Sequence, residues 1–74
     1  MKELIRNEIV MVKKWVREDG KIFLHTQNGH KYRYVGKYDL NELDKRAPKD
    51  TGLYIKLVFH KKRWILFDNG IIWC

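Results

Sequence analysis

Hydrophobic and polar residues alternate most regularly over residues 53–60, and this two-residue period predicts a β-strand with one buried face. The apolar face of that strand carries Leu53, Ile55, Leu57 and Phe59. The dipeptide Lys61-Lys62 is predicted to form a turn, and residues 63–67 are predicted to return as the antiparallel partner. Asn69-Gly70 then precedes a short terminal strand over residues 71–73.

Two further dipeptides, Asp19-Gly20 and Asn28-Gly29, favour type I′ hairpin turns, because both central positions of such turns need positive φ. They bound residues 21–26 and residues 31–35, where β-branched and aromatic side chains are frequent. Both segments are therefore predicted as strands.

A helical period appears only over residues 39–47. Its apolar positions at i, i+3 and i+7 are Leu40, Leu43 and Ala47. Asp39 is a suitable N-cap with Glu42 three residues on, and Pro48 ends the helix.

The N-terminal segment fits two patterns. Its apolar residues from Leu4 to Val16 fall mostly on one side of a helical wheel, and Gly20 can end such a helix. The density of β-branched residues and the hairpin dipeptide that follows favour a strand over residues 9–17 instead. We expect that strand, preceded by an N-terminal arm or helical turn over residues 1–8.

The resulting order is β-β-β-α-β-β in one small domain over residues 1–74. Five short strands with one helix after the third are typical of a small OB-like barrel. An SH3-like barrel, or an open sheet carrying one helix, is the competing architecture.

Composition narrows the classes of protein. The single cysteine, Cys74, excludes an intrachain disulfide and suits a reducing, cytoplasmic location. No apolar run is long enough for a signal peptide or a transmembrane helix. The chain has no serine, no spacing typical of a metal site and no glycine-rich phosphate loop, so we expect no catalysis, no metal and no cofactor.

The charge balance is the strongest global clue. Sixteen Lys and Arg against nine Asp and Glu give a formal net charge of +7, which points to polyanionic partners. The acids and bases of residues 39–50 nearly cancel, so the positive surplus lies in the predicted strands.

Two-residue turns would pair Trp15 with Leu24 and Leu24 with Arg33, and directly paired residues share a face of a sheet. One face then carries Val10, Val12, Val16, Phe23, Tyr32 and Tyr34 and is predicted to be the core. The other face is amphipathic, and its candidate binding residues are Lys13, Trp15, Arg17, Lys31 and Arg33. An aromatic ring among cations suits single-stranded nucleic acid. Alternatively, Trp15 packs under the helix, and the cations are only solvated side chains around it.

A second basic cluster lies at the predicted turn between the last two long strands. Its candidate binding residues are His60, Lys61, Lys62 and Arg63. Side chains at a hairpin tip can reach phosphates without clashing with the sheet. The alternative is a solvated turn whose lysines protect against edge aggregation.

Residues 24–32, followed by the Leu40-Asn41-Glu42-Leu43 stretch and Pro48, resemble part of the LytTR-type DNA-binding domains. The resemblance implies DNA contacts from Lys61, Lys62 and Arg63. Lys62 stands where that family has a serine, and we do not infer membership from so local a likeness.

The sequence therefore predicts a small, basic, non-catalytic domain that binds DNA or RNA. The alternative is a small inhibitor or adaptor of the kind encoded by phages and mobile elements, which would bind an acidic protein surface or a protein partner such as a nucleic-acid-handling enzyme. We expect no membrane partner. Residues 71–73 can form an edge strand that pairs between chains, giving a homo-oligomer.

Overall fold

Five strands and one helix form in the computed structural model, which describes residues 4–72. They are β1 (Ile5–Glu18), β2 (Lys21–Thr26), β3 (Lys31–Val35), α1 (Leu40–Arg46), β4 (Gly52–His60) and β5 (Arg63–Ile72).

The strands close into a barrel in the order β1-β2-β3-β5-β4. All neighbours are antiparallel except β3 and β5, which run parallel. Parallel neighbours need a crossover connection, and the segment holding α1 and β4 supplies it. The β-β-β-α-β-β order and the OB-like barrel are confirmed, whereas an SH3-like barrel or an open sheet does not match this closed mixed arrangement.

The long strand β1 serves two neighbours. Residues 5–11 pair with β4, and the second half of the strand pairs with β2. The segment is a strand rather than a helix, as expected, but it starts at Ile5 instead of Ile9. The predicted arm over residues 1–8 is therefore wrong for residues 5–8, because β4 provides hydrogen-bonding partners there; residues 1–3 lie outside the described residues.

A β-bulge interrupts β1 between Val12 and Lys14. The extra residue, Lys13, turns the inward face from the even to the odd positions, so Val12 and Trp15 both point into the barrel. The expectation that Val16 and Phe23 belong to the core is wrong for this reason.

The two hairpin turns differ in length. Asp19-Gly20 forms the predicted two-residue turn, and Trp15 pairs with Leu24 as expected. At the second turn the loop contains one residue more, Gly29 alone has positive φ, and Leu24 pairs with Tyr32 instead of Arg33. This arrangement corresponds to the three-residue hairpin loop, which accepts Asn-Gly equally well.

The core fills the barrel and continues to α1. It consists of Val10, Val12, Trp15, Leu24, Tyr32, Tyr34, Leu43, Ala47, Leu53, Ile55, Leu57, Leu66 and Ile71. The helix begins as predicted, since the Asp39 side chain accepts a hydrogen bond from the Glu42 amide at 3.0 Å. Leu43 in the helix and Ala47 at its C-cap are buried, and both belong to the core.

At the other terminus, Ile71 and Ile72 belong to β5 and pair with β4, rather than forming a separate short strand. Trp73 and Cys74 lie outside the described residues. The part of the chain that the structure describes contains no helix with the length and apolarity of a membrane span.

Candidate functional site

A groove of about 600 Å³ runs across the outer face of β2 and β3, between the β1–β2 turn and the β4–β5 hairpin. We call it the basic groove. Its lining residues are Glu18, Asp19, Lys21, Phe23, His30, Lys31, Tyr32, Arg33, Lys62, Arg63 and Trp64. Lysines and arginines outnumber the acids, and aromatic rings lie among them, so the groove suits an anionic ligand with flat apolar groups.

Phe23 lies on the outer face of β2, directly opposite Arg33 on β3. The Lys31 ammonium lies 4.4 Å from the centroid of the Phe23 ring and 2.7 Å from a carboxylate oxygen of Glu18. The hydrogen bond and the positive charge of Lys31 lower the pKa of Glu18. The Glu18 carboxylate thus holds Lys31 across the Phe23 ring. A phosphate group of a ligand can take the place of that carboxylate.

Arg33 lines this groove and carries one hydrogen-bond donor that has no acceptor among residues 4–72. It is half-buried between Phe23 on β2 and Ile65 on β5, and its Nε is buried without a hydrogen-bond partner among residues 4–72. A buried donor without an acceptor costs about 1–3 kcal/mol, so such groups are rare in folded proteins. The positive charge of Arg33 in the groove also attracts an anionic ligand.

The opposite wall is the β4–β5 hairpin. Lys61 and Lys62 form its turn, and both have positive φ, at 49° and 66°. Trp64 follows at the rim, half-buried, with its ring 5.1 Å from that of Phe59 and 5.8 Å from the Arg6 guanidinium carbon. These contacts hold the Trp64 ring in place beside the basic groove.

Four of the candidates predicted from sequence lie together in the basic groove: Lys31, Arg33, Lys62 and Arg63. Lys61 is exposed at the tip of the hairpin, next to the groove. His60 lies instead against a second cavity, on the outer face of β4 and β5. The two basic clusters that appear separate in the sequence therefore meet across one groove, at Arg33 and Arg63.

The remaining candidates lie elsewhere. Trp15 is only 5% exposed, and its indole Nε1 donates a hydrogen bond to the Ala47 carbonyl at 2.9 Å. The expectation that Trp15 stacks on a base is thus wrong, and the alternative of packing under the helix is correct. Lys13 is exposed in the bulge and Arg17 is exposed near the end of β1, and neither lines the groove.

The sequence pattern does not mark Phe23 or Lys21 as groove residues, and it places Trp64 beside the basic run without a binding role. A β1 without a bulge would place Phe23 in the core, whereas the bulge turns it to the outer face. Trp64 directly follows the basic hairpin run, and this adjacency was the available signal. Lys21 follows the first turn and shares its outward exposure.

His25 lies on the same outer face, opposite Lys14 on β1 and Lys31 on β3. Its Nε2 is buried without a hydrogen-bond partner among the described residues. Burial, followed by the charges of Lys14 and Lys31, lowers the pKa of His25. Its neutral form is therefore favoured in the folded protein.

Residues 4–72 contain no cluster of three or more His, Cys, Asp or Glu side chains able to hold a metal ion. Comparisons of the chain with protein-family models, with curated proteins and with solved structures find no match.

Proposed function

We propose that this chain is a small, non-catalytic domain that binds single-stranded nucleic acid in the basic groove. The observation that carries the proposal is the convergence of the Phe23 and Trp64 rings with five cationic side chains, Arg33 among them, in one groove. Backbone phosphates and exposed bases are the two chemical groups that such a lining recognises.

The cations account for affinity without sequence preference. Lys21, Lys31, Lys62 and Arg63 border the groove on both sides, and the whole chain carries a net charge of +7. Contacts between such residues and phosphates release condensed counterions, so binding weakens as salt rises. Arg33, at the groove floor, is suited to the oxygen of a phosphate or a base.

The aromatic rings favour a single strand over a duplex. Phe23 lies on the floor and Trp64 on the rim, and both need an unstacked base to pack against. Stacking of this kind contributes about 1–3 kcal/mol per base. Bases inside a duplex are already stacked on each other, so neither ring can contact their faces.

The backbone of the β4–β5 turn gives independent support. A turn with two positive φ angles strongly prefers residues such as Asn-Gly or Asp-Gly, yet Lys61 and Lys62 occupy it. Left-handed backbone at non-glycine residues is unfavourable, and it is frequent at functional sites. Two lysines retained in this conformation fit a role for their charge at the edge of the groove.

The proposal is tested by the anisotropy of fluorescently labelled oligonucleotides, as single strands and as duplexes, between 50 and 500 mM salt. We expect Phe23→Leu to weaken single-strand binding by roughly five- to a hundredfold, the equivalent of one lost stacking contact. Phe67→Leu is the matched control, because Phe67 is an exposed aromatic residue that does not line the basic groove. Equal effects of the two variants would contradict the proposed stacking role.

The alternative partner is an acidic protein surface. Recovery of one stoichiometric protein partner by the parent chain, together with no oligonucleotide affinity at 50 mM salt, would replace nucleic acid with that partner. The same groove variants then identify whether the protein uses this surface.

A further inference from the structure

Among residues 4–72, the first half of β1 has one edge without a partner strand. Residues 5–11 pair with β4 on one side, while β2 reaches only as far as Val12 on the other. Within the described chain, no strand pairs with residues 5–10 along that second side. An open strand edge presents a row of donors and acceptors that another chain can pair with.

The hydrogen bonds of β1 show which residues face the open edge. The carbonyl of Leu4 accepts from the Phe59 amide on β4, and the Val12 amide likewise donates to the Thr51 carbonyl on the β4 side. In an antiparallel ladder the backbone groups of alternate residues point to opposite sides. The amides and carbonyls of Ile5, Asn7 and Ile9 therefore point to the open edge.

The side chains of residues 5–9 are complementary to those of a second copy of the same segment that runs antiparallel to it. In an antiparallel pair centred on Asn7, Arg6 of one copy lies opposite Glu8 of the other, and Ile5 lies opposite Ile9. The odd-numbered residues, whose backbone groups are free, then form the hydrogen-bonded pairs. Centring the pair on Arg6 or on Glu8 would instead place like charges opposite each other, which is destabilising.

The outer face of the same segment is apolar. Ile5 is 50% exposed and Ile9 is 77% exposed, and Ile9 lies in register with Tyr54 on β4, which itself lies beside Ile72 on β5. Both Tyr54 and Ile72 are exposed too. Contiguous apolar surface of this kind usually marks an interaction site. Antiparallel pairing of two β1 edges joins the two apolar faces into one surface and packs Ile5 against Ile9.

We propose that two copies of this chain form a twofold-symmetric dimer through antiparallel pairing of residues 5–9 of β1, centred on Asn7. The interface is isologous, because each copy contributes the same five residues. Within one chain, one Glu8 carboxylate oxygen accepts a hydrogen bond from the Tyr32 hydroxyl at 3.0 Å, and the other already forms an ion pair with Arg6 of the same chain. In the dimer, Arg6 of each copy also lies opposite Glu8 of the other copy. This surface differs from the terminal edge strand that the sequence suggested.

Sedimentation equilibrium over a concentration series measures the assembly directly. We expect the parent to reach twice the mass of one chain. Arg6→Glu and Glu8→Arg should each raise the dissociation constant by about tenfold or more, because both symmetry-related pairs change from attractive to repulsive. An equimolar mixture of the two variants should again form a dimer, since opposite charges then face each other across the interface. Rescue by mixing cannot arise from contacts within one chain.

Asn7→Pro provides a second variant if the charge reversals fail to fold. The Asn7 amide faces the open edge, so its loss removes the central hydrogen bonds of the dimer and none within the barrel. We expect a monomer with a circular dichroism spectrum like that of the parent. A parent that stays monomeric at millimolar concentration overturns the proposal, and so does a dimer that persists unchanged in Asn7→Pro. Neither outcome depends on whether the basic groove binds nucleic acid.

Discussion

The turn of the β4–β5 hairpin allows stability and binding to be separated in one variant. Lys61 and Lys62 have φ of 49° and 66°, close to the values of 51° and 75° at Asp19 and Gly20 in the first hairpin. The first hairpin thus places the favoured Asp-Gly pair in this backbone conformation, and the β4–β5 hairpin places two lysines in it. The informative change is Lys61→Asn together with Lys62→Gly, which supplies the favoured pair and removes two charges.

The effect on stability follows from the left-handed backbone. That conformation costs roughly 1–2 kcal/mol at an ordinary residue, and asparagine and glycine relieve much of this cost. Glycine loses more conformational freedom on folding, which offsets part of the gain. We expect the variant to be more stable by about 1 kcal/mol, which corresponds to a rise in Tm of about 4–8 °C for a domain of this size.

The effect on binding should have the opposite sign. If both lysines contact phosphates, their loss lowers the slope of log affinity against log salt by up to about 1.4 for a single strand. Thermal unfolding followed by circular dichroism gives the Tm, and oligonucleotide anisotropy between 50 and 500 mM salt gives the slope. The matched control is Lys45→Gln with Lys49→Gln, because both residues are exposed and lie outside the groove lining.

Two results would refute this reasoning. An unchanged or lower Tm would mean that the two lysines are not strained in the turn. A salt slope equal to that of the parent, or equal to that of the control variant, would mean that the hairpin tip is only a solvated turn. Charge reversal of Lys61, Lys62 and Arg63 tests the second point again, and we expect weaker binding with the fold intact.

Three further outcomes are expected. Trp15→Phe leaves the buried Ala47 carbonyl without its donor, so urea unfolding should show a loss of about 1–3 kcal/mol in the free energy of unfolding. The folded variant should keep its oligonucleotide affinity. Weaker binding without a change in stability would contradict the buried position of Trp15. Glu18→Gln removes the carboxylate that neutralises Lys31, so oligonucleotide anisotropy should report tighter binding with a steeper salt dependence. Weaker binding would exclude Lys31 as a phosphate contact. The pKa of His25 is lowered in the folded state, so the unfolded state binds a proton at His25 more readily. Urea unfolding should therefore show the free energy of unfolding falling as the pH drops below about 6.5. His25→Gln should remove that decline.

Local patterns were enough to predict most of the elements. The helix α1 depends on Asp39 as its cap and on the spacing of Leu43 and Ala47, all of which lie within a few residues of one another. The register of the first hairpin follows from Asp19-Gly20, since two adjacent residues with positive φ leave one pairing for the flanking strands. These features are determined by short-range sterics and hydrogen bonds, and the sequence contains that information directly.

The candidate site was predicted only in part. The sequence predicts Lys31 and Arg33 on the outer face, and both line the groove there, because two differences between the predicted and observed strands compensate each other. The first is the bulge at Lys13, and the second is the loop at Asn28-Gly29, which is one residue longer than the predicted two-residue turn. A shift of one residue moves every side chain of a strand to the opposite face. Together the two shifts leave the orientation of β3 as predicted, but they turn the half-buried Phe23 outward and Trp15 inward.

The sequence by itself determined the strand and helix order, the basic character of the chain and the exposure of the hairpin lysines. Only the tertiary structure decided that Trp15 points inward, because its burial depends on the Ala47 carbonyl, which lies 32 residues away along the chain. Only the parallel pairing of β3 with β5 brought Arg33 beside the β4–β5 hairpin and so joined the two basic clusters in one groove. Neither contact leaves a local signal, since each arises from the closure of the barrel and the burial of apolar surface that closure permits.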